Sequence, residues 1–205
     1  MAALFMMCGV AKATVIYTGV MTIGATDPTQ LGRLSRNGEP SDWSTSKAFP
    51  GVINTGISYH YTTLDLDLSA LESAYSSYGA YLQINFDSTA ATTFLSAYLN
   101  SYSPFNLATN YLGDAGFSGN SFGNPLFFQV VVPSTNHLML VLNESTSGGG
   151  LNLPGGLVVE AFVDTAFTDL PAPVPEPGTW ALLACGMALL VARRAGQQSR
   201  SKAAH

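Results

Sequence analysis

What this chain lacks narrows its identity first. Residues 14–177 contain no cysteine; the chain's two, Cys8 and Cys185, both lie in apolar end segments. A disulfide framework and a thiolate metal site are therefore excluded for the body. Basic residues are nearly as scarce. The same stretch holds all thirteen acidic residues but only three basic ones, Arg33, Arg36 and Lys47, giving a net charge of −10. Nucleic-acid binding needs clustered lysine and arginine to displace phosphate counterions, so this balance argues for no nucleic-acid partner. His60 and His137 are the only histidines of the body. A metal site needs several convergent ligands with second-shell support, so both read as ordinary strand or loop residues.

What is present begins with the two ends. Ala2 to Val10 is a short apolar core, followed by Ala11-Lys12-Ala13, the small-x-small pattern of a signal-peptidase site. Export through the Sec machinery and cleavage after Ala13 are expected, so that the mature chain begins at Thr14. No Lys or Arg precedes the core; a start codon upstream of Met1 would supply that basic region. The alternatives are a buried N-terminal strand and, more weakly, a lipoprotein site at Cys8, where Met6 and Met7 stand in place of small residues. At the other end, Thr179 to Ala192 is apolar and uncharged. As a helix it would span roughly 21 Å, short against about 30 Å of hydrocarbon. Trp180 stands at its outer edge, and Arg193 and Arg194 follow at once. The positive-inside rule then puts the C-terminus in the cytoplasm and the body outside, the orientation that the N-terminal segment also predicts.

Val174-Pro175-Glu176-Pro177, the apolar segment beginning near Trp180 and the Arg193-Arg194 pair resemble the PEP-CTERM sorting signal of exported bacterial proteins. The same tail is also called the ice-binding protein C-terminal domain, a label that implies no ice binding. The resemblance covers about twenty residues, in the expected order, with a longer tail after the arginines than is usual. It implies an exosortase as partner, acting near the Pro-Glu-Pro, with release or attachment of the passenger at the cell surface or in an exopolysaccharide matrix. Pro175 and Pro177 keep the backbone extended, a form that a protease cleft can grip. The same physics would serve a plain linker before a permanent anchor. The expected organisation is a signal peptide over 1–13, an exported β domain over 14–169, a proline-rich linker over 170–178, a transmembrane helix over 179–192 and a basic cytoplasmic tail over 193–205.

Between the ends the apolar pattern has period two. "AYLQINFD" sets Leu82, Ile84 and Phe86 against Gln83, Asn85 and Asp87. "PLFFQVVVP", "HLMLVLNE", "GLVVEAFVD" and the opening "TVIYTGVMTIG" predict further strands. In "ISYHYTTLDLDLS" the phase slips between Tyr59/Tyr61 and Leu64/Leu66, which predicts a bulge near Thr62-Thr63. Turn residues punctuate these runs, so the expected fold is all-β, an antiparallel β-sandwich or jelly roll. Leu68 to Tyr78 is compatible with one short helix. "DPTQLGRLSRNGEPSDW", "AYLNSYSPFNLATNYLGDAGFSGN" and "FFQVVVPSTNHLMLVLNE" look similar to pre-peptidase C-terminal domains, which implies a fold and no particular chemistry.

Candidate chemistry is sparse. Gly119-Asn120-Ser121-Phe122-Gly123 matches the G-x-S-x-G nucleophile elbow, but that motif needs a strand before it and a helix after it; a flexible loop is expected here. Asp65 and Asp67 share a strand face near Glu72, oxygen ligands of the type that holds Ca²⁺, although outward charges on a half-solvated strand are the ordinary case. Tyr59, Tyr61, Tyr75, Tyr78, Tyr81, Tyr98, Tyr102 and Tyr111, with Trp43, are candidates for stacking on sugar rings or for core packing. Asn143-Glu144-Ser145 fits a glycosylation sequon. The expectation is a non-enzymatic surface protein with a structural or exopolysaccharide-associated role. Its rivals are a secreted hydrolase of surface polysaccharide and a permanently anchored carbohydrate-binding module.

Overall fold

The structure, a computed structural model, describes residues 12–69, 71, 80–88, 90–119, 126–132 and 137–163. The chain divides after Thr165, and the second part lies wholly outside the described residues. Among the described residues nine strands run in order: β1 Lys12–Met21, β2 Thr29–Leu34, β3 Val52–Asp67, β4 Ala80–Ser88, β5 Thr93–Leu99, β6 Tyr111–Asp114, β7 Leu126–Val132, β8 His137–Glu144 and β9 Gly155–Val163. They form two antiparallel sheets, one of four strands ordered β1-β9-β4-β7 and one of five ordered β2-β3-β8-β5-β6. The expected all-β class holds. Among the described residues no helix is long and apolar enough to cross a membrane. Most of 68–78, whose sequence is compatible with a short helix, lies outside them.

Period-two patterning explains why these runs pair. On β4 the burial alternates strictly, with Leu82, Ile84 and Phe86 buried and the residues between them partly exposed. Those three side chains meet Phe128 and Val159 of their own sheet and Leu138, Leu140 and Leu142 of the other, so one apolar core joins the two sheets. Fully burying a side chain of this size contributes about 1.5–3 kcal/mol.

The phase slip in β3 is not a bulge. Its ladder to β8 runs without interruption from Tyr61↔Asn143 to Asp67↔His137; the irregularity on β3 lies on its other ladder, opposite β2 between Leu31 and Arg33. Both phases are apolar because around Tyr59 to Leu66 both faces of the sheet are covered, whereas Val52 to Ser58 are exposed. Leu64 and Leu66 pack on the inter-sheet core, whereas Tyr61 joins Tyr98 and Val141 in a second cluster on the opposite face, beneath Tyr102 and Tyr111. Leu34, Phe94 and Leu107 extend that outer layer. The connection that supplies it is closed by Leu99 N–H donating to Asn110 O at 2.7 Å. Asn100 and Asn110 at its ends take left-handed φ values of 62°, a conformation that asparagine tolerates better than most residues.

Candidate functional site

Alternation also fixes the outer face of the four-stranded sheet. On β4 that face carries Tyr81, Gln83, Asn85 and Asp87, and the register builds rows across it. Phe162 and Val131 flank Tyr81, Glu160 and Gln129 flank Gln83, and Val158 and Phe127 flank Asn85. The middle rows are tied laterally. Glu160 Oε2 accepts from Asn85 Nδ2 at 2.8 Å and from Gln83 Nε2 at 3.3 Å, while Gln83 Oε1 accepts from Gln129 Nε2 at 2.9 Å. The carboxylate therefore sets which way each amide points, because only N–H groups can face it.

Residues 41–47 close one end of this face. Ser41 N–H donates to Asp114 O at 2.9 Å and Ser41 O accepts from Gln129 N–H at 2.8 Å, so the segment laces β6 to β7 at the edges of the two sheets. Trp43 then reaches onto the face. Its indole N–H donates to Leu82 O at 3.1 Å. Its ring meets Tyr81 at 5.9 Å between centroids, with perpendicular planes, and Phe162 at 4.8 Å, edge-to-face geometries that aromatic quadrupoles favour. Between this segment and β7 lies a hollow of about 280 Å³, lined by Trp43, Lys47, Tyr111, Gln129 and Val131 among others. Gln129 and Val131 belong to both the hollow and the sheet face, so the two are continuous.

The hollow's floor is held by a buried carboxylate. Asp114 has no solvent exposure. Its Oδ1 pairs with Lys47 Nζ at 2.5 Å and accepts Gly116 N–H at 2.6 Å, and Tyr111 donates its hydroxyl to Oδ2. Burial, with the Asp114 charge beside it, pushes the Tyr111 phenol well above its ordinary range. Lys47 is thereby committed inward. Above the hollow, the Ser44 hydroxyl and N–H hold the Asp42 carboxyl below its ordinary value. Apart from Lys47, which is paired with Asp114, the charged side chains of the rows and the hollow, Asp42, Asp87 and Glu160, are acidic.

A second buried acid, Glu144, belongs to the other sheet. Burial pushes its carboxyl up, but the N–H and ring of His60 and the N–H groups of Gly150 and Gly148 outweigh that and hold it below the usual range. Oε2 lies 3.0 Å from His60 N and 3.1 Å from its Nδ1, and Oε1 accepts Gly150 N–H at 3.2 Å. Glu144 pins the 145–150 loop to β3. No sequence pattern distinguished it, because its ligands are mostly backbone groups.

The structure sorts the candidates read from sequence. Tyr59, Tyr61, Tyr98 and Tyr111 are drawn toward the interior with Tyr102, which leaves Tyr81 as the described tyrosine beside Trp43; Tyr75 and Tyr78 lie outside the described residues. Asp65 is exposed and bonded to His137 Nδ1 at 2.8 Å. Asp67 accepts Ser69 N–H at 2.8 Å, which lowers its carboxyl. Glu72 lies outside the described residues, and among those described no three His, Cys, Asp or Glu side chains gather as metal ligands would. Asn143 of the sequon is buried, donating to Glu144 O at 2.6 Å, so it is not an accessible glycan acceptor. Asn120 to Gly123 of the G-x-S-x-G motif lie outside the described residues. Ala13 and Thr14 sit on β1, opposite Phe162 and Ala161. Ala11 and the sorting residues Val174, Pro175, Glu176, Pro177, Trp180, Arg193 and Arg194 fall outside the described region. No protein-family model, curated protein or solved structure matches this chain.

Proposed function

We propose that this chain is an exported surface or extracellular-matrix protein, sorted by an exosortase through residues 174–194, with a structural or exopolysaccharide-associated role and no catalysis of its own. The observation that carries this reading is the order of parts at the C-terminus: Val174-Pro175-Glu176-Pro177, then an uncharged apolar segment, then Arg193-Arg194. The N-terminal apolar core ending in Ala11-Lys12-Ala13 supports the same direction of travel. The acidic body and the absence of a cysteine framework suit a polymer matrix better than a nucleic acid. For the body, two antiparallel sheets on a shared core make a rigid carrier. Among the described residues the two fully buried carboxylates, Asp114 and Glu144, are each engaged by internal donors, whereas a glycoside hydrolase needs a pair facing a substrate.

Subcellular fractionation with sequencing of both termini tests the reading. The expected mature protein begins at Thr14 and ends near Pro177, in the surface or extracellular fraction. A membrane-bound chain that retains His205 would instead support the permanently anchored module.

A further inference from the structure

The outer face of the four-stranded sheet carries the makings of a ligand site. Along β4 its rows recur every second residue, about 7 Å apart, so the rows of Tyr81, Gln83 and Asn85 form a strip roughly 14 Å long. Aromatic groups bound it, with Trp43, Tyr81 and Phe162 at one end and Phe127, 54% exposed, at the other. Between them lie three amides and one carboxylate already tied side to side. Glu160 Oε1 and Gln129 Oε1 take no part in that ladder, and neither does the second Asn85 N–H. Spare acceptors and a spare donor thus lie near one another on a pre-ordered surface, with Val131 and Val158 beside them. Trp43 is fixed by two rings and its N–H bond, so a ligand need not order it.

We propose that this face and its adjoining hollow bind an extended, uncharged polysaccharide. The proposal deepens the exopolysaccharide role given above and rests on it. Sugar rings offer C–H faces to the aromatic groups and hydroxyl or acetamido groups to the amides, each of which both donates and accepts. An apolar partner would strand the ladder's free polar atoms out of water, at a cost of about 1–3 kcal/mol for each. Charge selects further. Among the described residues Asp42, Asp87 and Glu160 face no opposing base at the site, because Lys47 is turned onto Asp114, and the body carries a net charge of −10. Uronate, sulfate or phosphate groups are therefore repelled, and neutral or N-acetylated chains are accepted.

The test is calorimetric titration of the purified exported chain with cellohexaose, chitohexaose and an alginate oligosaccharide, on material whose two termini have been sequenced. Binding of at least one uncharged hexasaccharide is expected, with no measurable binding of alginate. Phe127→Ser and Gln129→Ala are each expected to weaken binding by about tenfold or more, which is about 1.4 kcal/mol. Phe127 is exposed and Gln129 half-buried, and a circular-dichroism melt matching the parent's is required of each variant before titration. Phe105→Ser, at a ring 98% exposed in the connection over the other sheet, is expected to bind as the parent does. Failure of both neutral sugars, binding of alginate alone, or parental affinity in both face variants would overturn the site. An intact His205 terminus with normal glycan binding would overturn the sorting reading and leave the site standing.

Discussion

Over the five-stranded sheet, Tyr102 and Tyr111 cover Tyr61, Tyr98 and Val141 and make a second core. Over the four-stranded sheet, Trp43 reaches one end, while Val15, Val20 and Phe127 remain more than half exposed. The strands beneath are made alike, with alternate side chains sent to each side. What differs is the chemistry of the outward residues. Rings and a valine can be closed over by more of the same. Amides and a carboxylate already paired laterally can be covered only by a partner that meets their remaining hydrogen-bonding capacity. The closed face supplies stability, and the open one is the face we propose for recognition.

Breaking the closed face should have the largest effect on folding. Phe94→Ala or Tyr98→Ala, each removing a ring at 1% exposure, is expected to cost about 3–5 kcal/mol, read as a lowered urea midpoint. Glu144→Gln tests a smaller contribution. The folded carboxyl lies below its ordinary value of 4.5, so its stabilisation is complete above that pH and is lost as pH falls through the lowered folded value. The glutamine variant should cost about 1–3 kcal/mol at neutral pH, because a buried amide N–H replaces an acceptor, and should show a shallower acid limb in pH-dependent melting. Gly116→Ala is expected to cost a similar amount, about 1–3 kcal/mol. Its φ is +72°, and a Cβ there would stand 2.4 Å from the Glu39 carbonyl carbon.

Alkali should separate the faces in another way. Burial, the leading cause in each case, raises the phenols of Tyr98, Tyr102 and Tyr111. Above pH 10, their ordinary value, the unfolded chain therefore loses protons that the folded chain keeps, and stability falls as pH rises. Phenolate absorbance from these residues should rise together with the loss of circular dichroism, not before it. On the open face the expected stability change is smallest. Phe127→Ser should shift folding by no more than about 0.5 kcal/mol, yet it should weaken glycan binding.

Much of the fold was legible in the sequence because half-buried strands announce themselves by alternation. Leu82, Ile84 and Phe86 against Gln83, Asn85 and Asp87 gave β4 its face as well as its position. β5 escaped because "TFLSAYL" is buried on both sides, which erases the polar phase. In β2, Gly32 and Arg33 interrupt the pattern at the register shift, and β6 has four residues, too few to show a period. The slip in β3 was visible but misread, since a bulge and a second core write the same pattern. Of the candidate site, Trp43 and Tyr81 stood among the aromatic residues singled out as sugar-stacking candidates. The Glu160–Gln83–Gln129 ladder was not visible, because it depends on register across three strands.

Amide hydrogen exchange of the intact exported chain, with and without saturating chitohexaose or cellohexaose, tests the contrast between the faces most directly. Slowed exchange is expected in 81–87, 127–131 and 158–162, with 100–110 unchanged. Slowing confined to 100–110, or none anywhere at saturation, would contradict it.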